Sequence, residues 1–256
     1  MNAPAVYPDL DGRVAVVTGG SRGIGAATAL ALGANGVRVA VVGRDQEALD
    51  RTVAELSAQG STALGVLADC TVEADLARLA GTVAERLGPP DILAAFAGGN
   101  GMPVPTAQEN GVHWREVLDS DLTSVFLTIS AFLPGMLECG GGTIITMSSS
   151  AGRQAAKSSA AYAAAKAGVV ALTRHLAGEY GPQGIRINSI APASVENDRM
   201  RAWTTEEQRQ EMGATFPLGR IGRPDDVAAT ALFLASEASG WITGVTVDVT
   251  GGKVML

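Results

Sequence analysis

Two scarce residue types stand four positions apart in this 256-residue chain. Lysine occurs only at Lys157, Lys166 and Lys253, and tyrosine only at Tyr7, Tyr162 and Tyr180. A Tyr-x-x-x-Lys spacing such as Tyr162-Ala-Ala-Ala-Lys166 arises by chance in about one in thirty such chains. Residues four apart share a helix face, and Ala163, Ala164 and Ala165 are small enough for close packing there. A phenol beside an ammonium handles protons. An ordinary phenol ionises near pH ~10, and a neighbouring positive charge favours the phenolate and brings proton transfer nearer to working pH. The chemistry that needs such a unit is reduction of a ketone, which takes hydride at carbon and a proton at oxygen. A hydroxyl to hold that oxygen is available in the run Ser148, Ser149, Ser150.

A second feature suggests where hydride would come from. The first apolar run leads directly into Thr18-Gly19-Gly20-Ser21-Arg22-Gly23-Ile24-Gly25. A strand, a glycine turn and a helix start make an anion site. Backbone N–H groups face a pyrophosphate, and absent Cβ atoms let it approach. The next strand ends at Gly43-Arg44-Asp45. An acidic residue at that end hydrogen-bonds the ribose 2′-hydroxyl of NAD, whereas arginine suits a 2′-phosphate. Arg44, joined by Arg22, therefore points to NADPH/NADP+ in preference to NADH, with Asp45 read as the N-cap of the following helix. Asp69-Cys70 and Ala97-Gly98-Gly99-Asn100-Gly101 follow the third and fourth strands. The glycines there allow a cofactor to lie close, and equally suit a structural loop.

These features must be held by something, and the periodicity says what. Apolar runs at 14–18, 37–42, 63–68, 92–97, 143–147, 185–190 and 245–249 read as strands. Between them lie helical patterns at 24–35, 46–59, 73–87, about 114–137, 160–180 and 224–235. Gly36, Gly60, Gly88 and Gly181 follow helix ends, where a residue with positive φ is wanted. Strand–helix alternation implies parallel strands with right-handed crossovers. The expected fold is α/β: one doubly wound, parallel, seven-stranded sheet with helices on both faces, a single Rossmann-type domain over residues 1–256. Ligands bind such sheets at the carboxyl ends of the strands, where every candidate above falls.

Composition narrows the classes. The net charge of −7 disfavours nucleic acid as a partner. The two cysteines, Cys70 and Cys139, have no metal-site spacing and read as free, partly buried thiols. No apolar stretch is expected to approach the ~20 residues that span a bilayer, so no membrane partner and a cytoplasmic location are expected. His113 and His175 are isolated and not assigned a role.

With these motifs in this order, the chain resembles the short-chain dehydrogenase/reductase family over nearly its full length, and most closely its 3-oxoacyl-[acyl-carrier-protein] reductase-like branch. The resemblance implies a catalytic set of Ser149, Tyr162 and Lys166, Ser149 being the serine thirteen residues before the tyrosine. It implies cofactor contacts from Gly19, Ser21, Arg22, Gly23, Ile24, Gly25, Arg44, Asp69, Cys70, Ala97, Gly98, Tyr162, Lys166, Pro192 and Val195, with Ile190 also bordering the nicotinamide. It further implies a homotetramer. Three positions depart from the family pattern: Ala95-Phe96 before Ala97-Gly98, Ala193 after Pro192, and Asp121 where an asparagine is usual. As the fourth catalytic candidate, Asp121 is expected to keep the proton relay to Lys166 while altering its pH dependence. Substrate choice is expected in residues 193–222, a lid-like segment with Arg199, Met200, Arg201, Trp203, Met212 and Phe216. Its mixed arginine and apolar content suits an acyl, aromatic or polyketide-like ketone. The alternatives are an NAD-dependent alcohol dehydrogenase and a cofactor-binding regulatory subunit without turnover.

Overall fold

A computed structural model describes residues 5–99 and 103–255. Asn100 and Gly101 lie outside them. The strands are β1 (Val14–Thr18), β2 (Arg38–Gly43), β3 (Ala63–Leu67), β4 (Ile92–Ala95), β5 (Gly142–Met147), β6 (Ile185–Pro192) and β7 (Thr246–Val249). All neighbours are parallel, in the order β3-β2-β1-β4-β5-β6-β7. Strand order reverses between β1 and β4, which opens the ligand crevice of such sheets at their carboxyl ends.

The helices are α1 (Gly23–Gly33), α2 (Gln46–Ala58), α3 (Glu73–Arg86), α4 (Gly111–Leu118), α5 (Ser124–Glu138), α6 (Ala160–Tyr180), α7 (Asp198–Trp203), α8 (Glu206–Ala214) and α9 (Pro224–Ala235). Side chains alternate across the sheet. Val14 and Val16 of β1 face a core with Val83 of α3, Ile129 of α5 and Val169 of α6. Ala15 and Val17 face the opposite core, with Leu32 of α1, Leu56 of α2 and Val227 of α9. The central strands are buried on both faces, which is why they read as unbroken apolar runs.

Several boundaries differ from the sequence expectation, each for a physical reason. β4 stops at Ala95 rather than at residue 97, because the next two N–H groups leave the ladder. Those of Phe96 and Ala97 instead donate to the Thr18 hydroxyl, at 3.0 and 3.1 Å. Gly181 has φ −55 and lies in a short 3₁₀ turn; the left-handed residue there is Gly184, φ +83. The expected long helix at 114–137 is two α-helices joined by a π turn, Asp119–Thr123. In that turn Ser124 N–H bonds back five residues to Asp119, and the Ser124 hydroxyl donates to the Ser120 carbonyl at 2.7 Å. The whole run Gly111–Glu138 is, against expectation, long and apolar enough by length and composition to cross a membrane. Here Val125, Ile129, Phe132 and Met136 of that run are buried in the core. Cys139 is exposed, contrary to the expected partly buried thiol, while Cys70 is buried.

The segment 193–222 contains α7 and α8. Asn197 caps α7 by accepting from Met200 N–H at 2.8 Å. Thr205 and Gln208 form a reciprocal capping box at the start of α8. The two ends are pinned together: Glu196 N–H donates to Gly222 O at 2.8 Å, and Gly222 N–H to Ser194 O at 3.0 Å.

Candidate active site

The glycine turn joins β1 to α1 at the carboxyl edge of the sheet. Gly19 has φ +64, and a Cβ there would stand 2.8 Å from the Phe96 carbonyl. A Cβ on Gly25 would stand 2.1 Å from the Gly19 carbonyl, so the turn closes on itself only without side chains. At Gly23, φ is +53 but a Cβ would meet no protein atom. The turn therefore presents open space beside the first N–H groups of α1, the form of a cradle for a phosphate-bearing cofactor.

At the end of β2, Asp45 caps α2, accepting from Ala48 N–H at 3.0 Å. It also pairs with Arg22. Hydrogen bonding from the Ala48 N–H, with the charge and hydrogen bond of Arg22 added to it, outweighs desolvation and holds the Asp45 carboxyl below its ordinary range. Arg44 lies 3.5 Å from Asp69, whose carboxylate also accepts from Thr71 N–H and hydroxyl. Both arginines thus stand near the end of β2, each with a carboxylate at hand. Ser21 stacks its hydroxyl against Gly43. The Cys70 side chain, by contrast, points into the core beneath Asp69, and burial pushes its thiol up to about 11.

The residues expected to handle the proton converge from two elements. Met147 ends β5, and Ser149 begins a 3₁₀ turn (Ser150–Gly152), accepting from Ala151 N–H at 3.2 Å. Gly152 lets this turn press on α6, since a Cβ there would stand 2.5 Å from the Lys166 backbone. Ser159 caps α6 by accepting from Tyr162 N–H at 3.2 Å, which places Tyr162 in the first turn. One turn on, Lys166 is 3% exposed. Its ammonium donates to Met147 O at 3.1 Å and lies 5.6 Å from the centre of the Tyr162 ring.

Asp121 is fully buried in the π turn and meets Lys166 Nζ at 3.0 Å. The same oxygen accepts from Gly99 N–H at 2.7 Å, and the other from the Ser120 hydroxyl at 2.8 Å. Burial pushes this carboxyl up, but Lys166, Gly99 and Ser120 together outweigh it and leave it below its ordinary range. Gly98, φ +130, leaves room for Asp121, because a Cβ there would stand 2.7 Å from its oxygen.

One open cleft of about 2340 Å³ connects Gly19, Arg22, Gly23, Ile24, Gly25 and Gly98 with Ser149, Tyr162, Lys166, Pro192 and Val195. Met200, Trp203, Met212 and Phe216 of the lid also line it. Ile190, expected beside the nicotinamide, is buried in the core. Asp121 stands behind the cleft, in contact with Lys166 and Gly99, which both line it. Sequence reasoning missed Glu109, whose carboxylate accepts from Ala161 N–H at 3.3 Å and pairs with His113 at 3.0 Å. Glu109 thereby sits at the positive end of α6, beside Tyr162. Nothing local marks it, since its partner is 52 residues away. Arg153, which grips Asp248 at 3.1 Å with two nitrogens and ties the serine loop to β7, was missed for the same reason.

Known proteins resemble the chain over nearly its whole length. The sequence model described as enoyl-(acyl carrier protein) reductase matches residues 19–253. Cis-4-hydroxycyclohexanecarboxylate dehydrogenase of Sinomonas cyclohexanicum is 39% identical over 94% of this chain and 96% of that one. A 3-oxoacyl-[acyl-carrier-protein] reductase of Synechocystis is 38% identical, over 96% and 98%. Among solved structures, 7α-hydroxysteroid dehydrogenase complexed with NADH and 7-oxo glycochenodeoxycholic acid superposes with a TM-score of 0.91 at 33% identity, over 98% and 97%. The chain belongs to the short-chain dehydrogenase/reductase family. It is an oxidoreductase of the alcohol–ketone couple that uses a nicotinamide cofactor.

Proposed function

We propose that the protein is an NADP(H)-dependent reductase that converts a ketone to a secondary alcohol, with Tyr162 as the proton donor. The observation that carries this reading is the convergence of Ser149, Tyr162 and Lys166 on the cleft that the glycine turn opens. When bound, the nicotinamide supplies the hydride. The Ser149 oxygen already accepts from Ala151 N–H, which leaves its own O–H to donate to the substrate oxygen. The Tyr162 phenol gives that oxygen its proton. An ammonium has three donors; Asp121 and Met147 take two from Lys166, leaving one for the cofactor ribose or the phenol. The first N–H groups of α1 would receive the pyrophosphate, and Gly98, Pro192 and Val195, which line the cleft, would border the remainder of the cofactor with Asp69 at its far end.

Arg44, largely exposed at the end of β2, and Arg22 support the choice of NADP(H). A second reading, NAD, is favoured by a specific observation: each arginine already has a carboxylate, Asp45 or Asp69, that a 2′-phosphate must compete with. The apolar lid, together with relatives named for a cyclohexane ring and a 3-oxoacyl chain, supports a ring or acyl ketone as substrate. We also propose a cytoplasmic homotetramer. Phe126 on α5 and Trp241 beside β7 are exposed on separate elements, and two self-complementary faces suffice to build one.

The test is a panel of cyclic and acyclic ketones with NADPH or NADH, and of the matching alcohols with the oxidised forms, followed by nicotinamide absorbance. NADPH is expected to outperform NADH, and Arg44→Asp to move the ratio about tenfold toward NADH, equivalent to ~1.4 kcal/mol. An unmoved ratio sinks the NADP(H) assignment. Tight NADPH binding with no turnover across the panel would favour the regulatory subunit.

A further inference from the structure

The ammonium that serves Tyr162 has a carboxylate against it where the family pattern carries a neutral amide. Asp121 and Lys166 are 0% and 3% exposed, and their charged atoms meet at 3.0 Å. In so buried a setting, charges act on their neighbours with little screening from solvent. A lone ammonium 5.6 Å from the phenol ring draws the proton off the phenol. An ammonium paired with a carboxylate is a dipole, and draws it off far less.

We propose that Asp121 is a positioning residue that cancels the charge of Lys166, keeping Tyr162 a proton donor at neutral pH and confining its action as a base to alkaline pH. This rests on the reading of Tyr162 as the proton-transfer group. In reduction, the substrate carbon takes the hydride supplied by the reduced nicotinamide and its oxygen takes the phenol proton, leaving phenolate. In oxidation, the phenolate takes the hydroxyl proton as the hydride leaves for the oxidised nicotinamide. The compensated pair therefore suits the reductive direction near neutral pH, and oxidation requires a higher pH.

Other charges stand around the head of α6 and across the cleft. Glu109 and His113 pair at its N-terminus. Arg153 and Asp248 pair beyond the serine loop. Lys157 stands exposed at the cleft rim. The end of β5 offers the Met147 carbonyl and the hydroxyls of Ser148 and Ser149, and the loop after β4 offers backbone at Gly98 and Gly99. Across the cleft, Glu196 is held by Arg201 and Asp226 by Arg220, and Asp198, Arg199, Arg223, Asp225 and Lys253 also line it.

Asp121→Asn is the decisive variant, because an amide oxygen can still accept from Gly99 N–H and Lys166 while the charge is gone. The pH at which alcohol oxidation reaches half its maximal kcat/KM is expected to fall by about one unit, making oxidation about tenfold faster than wild type on the acid side. Ketone reduction is expected to fall away at correspondingly lower pH. An unmoved profile, or one displaced to higher pH, overturns the proposal. A second measurement needs no turnover. The chain has three tyrosines, so ring-¹³C labelling gives three signals, and loss of one in Tyr162→Phe assigns the relevant one. With NADP+ bound, that signal is expected to titrate about one unit lower in Asp121→Asn. If it does so while no substrate turns over, the enzymatic reading fails and this one stands. If it does not move, this one fails whatever the activity. Asp121→Ser, neutral and smaller, repeats the comparison should Asp121→Asn not fold.

Discussion

The half of the molecule that holds the glycine turn, β1 through β5, and the part of the lid segment between its pinned ends, residues 197–221, are built by different forces. In the first, β1, β2 and β4 lie between two helix layers, and their apolar side chains are almost wholly removed from water. The turn at its edge has no slack, since Gly25 and Gly19 are in backbone contact. The lid buries little beyond Gly213 and Phe216. Its two helices stand on caps, and its ends on a short bridge and ion pairs. Arg220 holds Asp226 through two nitrogens, at 2.6 and 2.7 Å, and Asp226 also accepts from Arg223 N–H. Burial makes a fixed cradle, whereas exposed polar contacts, each worth about 0–1 kcal/mol, hold the lid segment more weakly.

Three substitutions sharpen or break that contrast. Tyr162→Phe removes the proposed proton donor, which α6 carries at the cleft, and kcat is expected to fall 10²–10⁴-fold with cofactor affinity nearly kept, as measured by steady-state kinetics and fluorescence titration. Residual activity above one tenth would mean another group supplies the proton. Gly25→Ala forces a Cβ onto the Gly19 carbonyl. A stability loss of ~1–3 kcal/mol is expected, a fall in Tm of several degrees, together with loss of cofactor binding. A variant that melts and binds like wild type would show that the turn has slack after all. Arg220→Ala should act on the lid alone: KM for the ketone rises several-fold, while Tm changes by less than about 2 °C. A large fall in Tm would mean that the lid is part of the core's cooperative unit and the contrast is false.

The same contrast explains what could be read from the sequence. Val14–Thr18 was legible because a strand buried on both faces leaves an unbroken apolar run. The glycine turn was legible because close backbone approach admits few alternatives. Tyr162 and Lys166 needed only helical spacing. The end of β4 was not legible, because a hydroxyl from another strand, Thr18, takes over the backbone pairing. Glu109 reaches Ala161 across the fold, and no local pattern announces that. The lid helices carried a readable sign in Thr205-Glu-Glu-Gln208, but their few buried side chains gave no periodic stripe to accompany it. The position of Asp121 as a departure was visible, whereas its direction was decided by the π turn, which composition does not mark.

That π turn works as a phase shift. Each residue of an α-helix advances the direction of its side chain by about 100°, so a turn widened by one residue resets the angular register of everything after it. Ahead of it, α4 keeps its register beside the start of α6; after it, α5 presents Val125, Ile129 and Phe132 to the sheet. The residue lodged at the seam is the one that faces the lysine. Chain length between Leu118 and Ser124 is thus a specification in its own right. Removing one residue there would bring the two helices into a single register, at the expense either of the apolar face or of the carboxylate's aim, even with every chemical group of the site still in the chain.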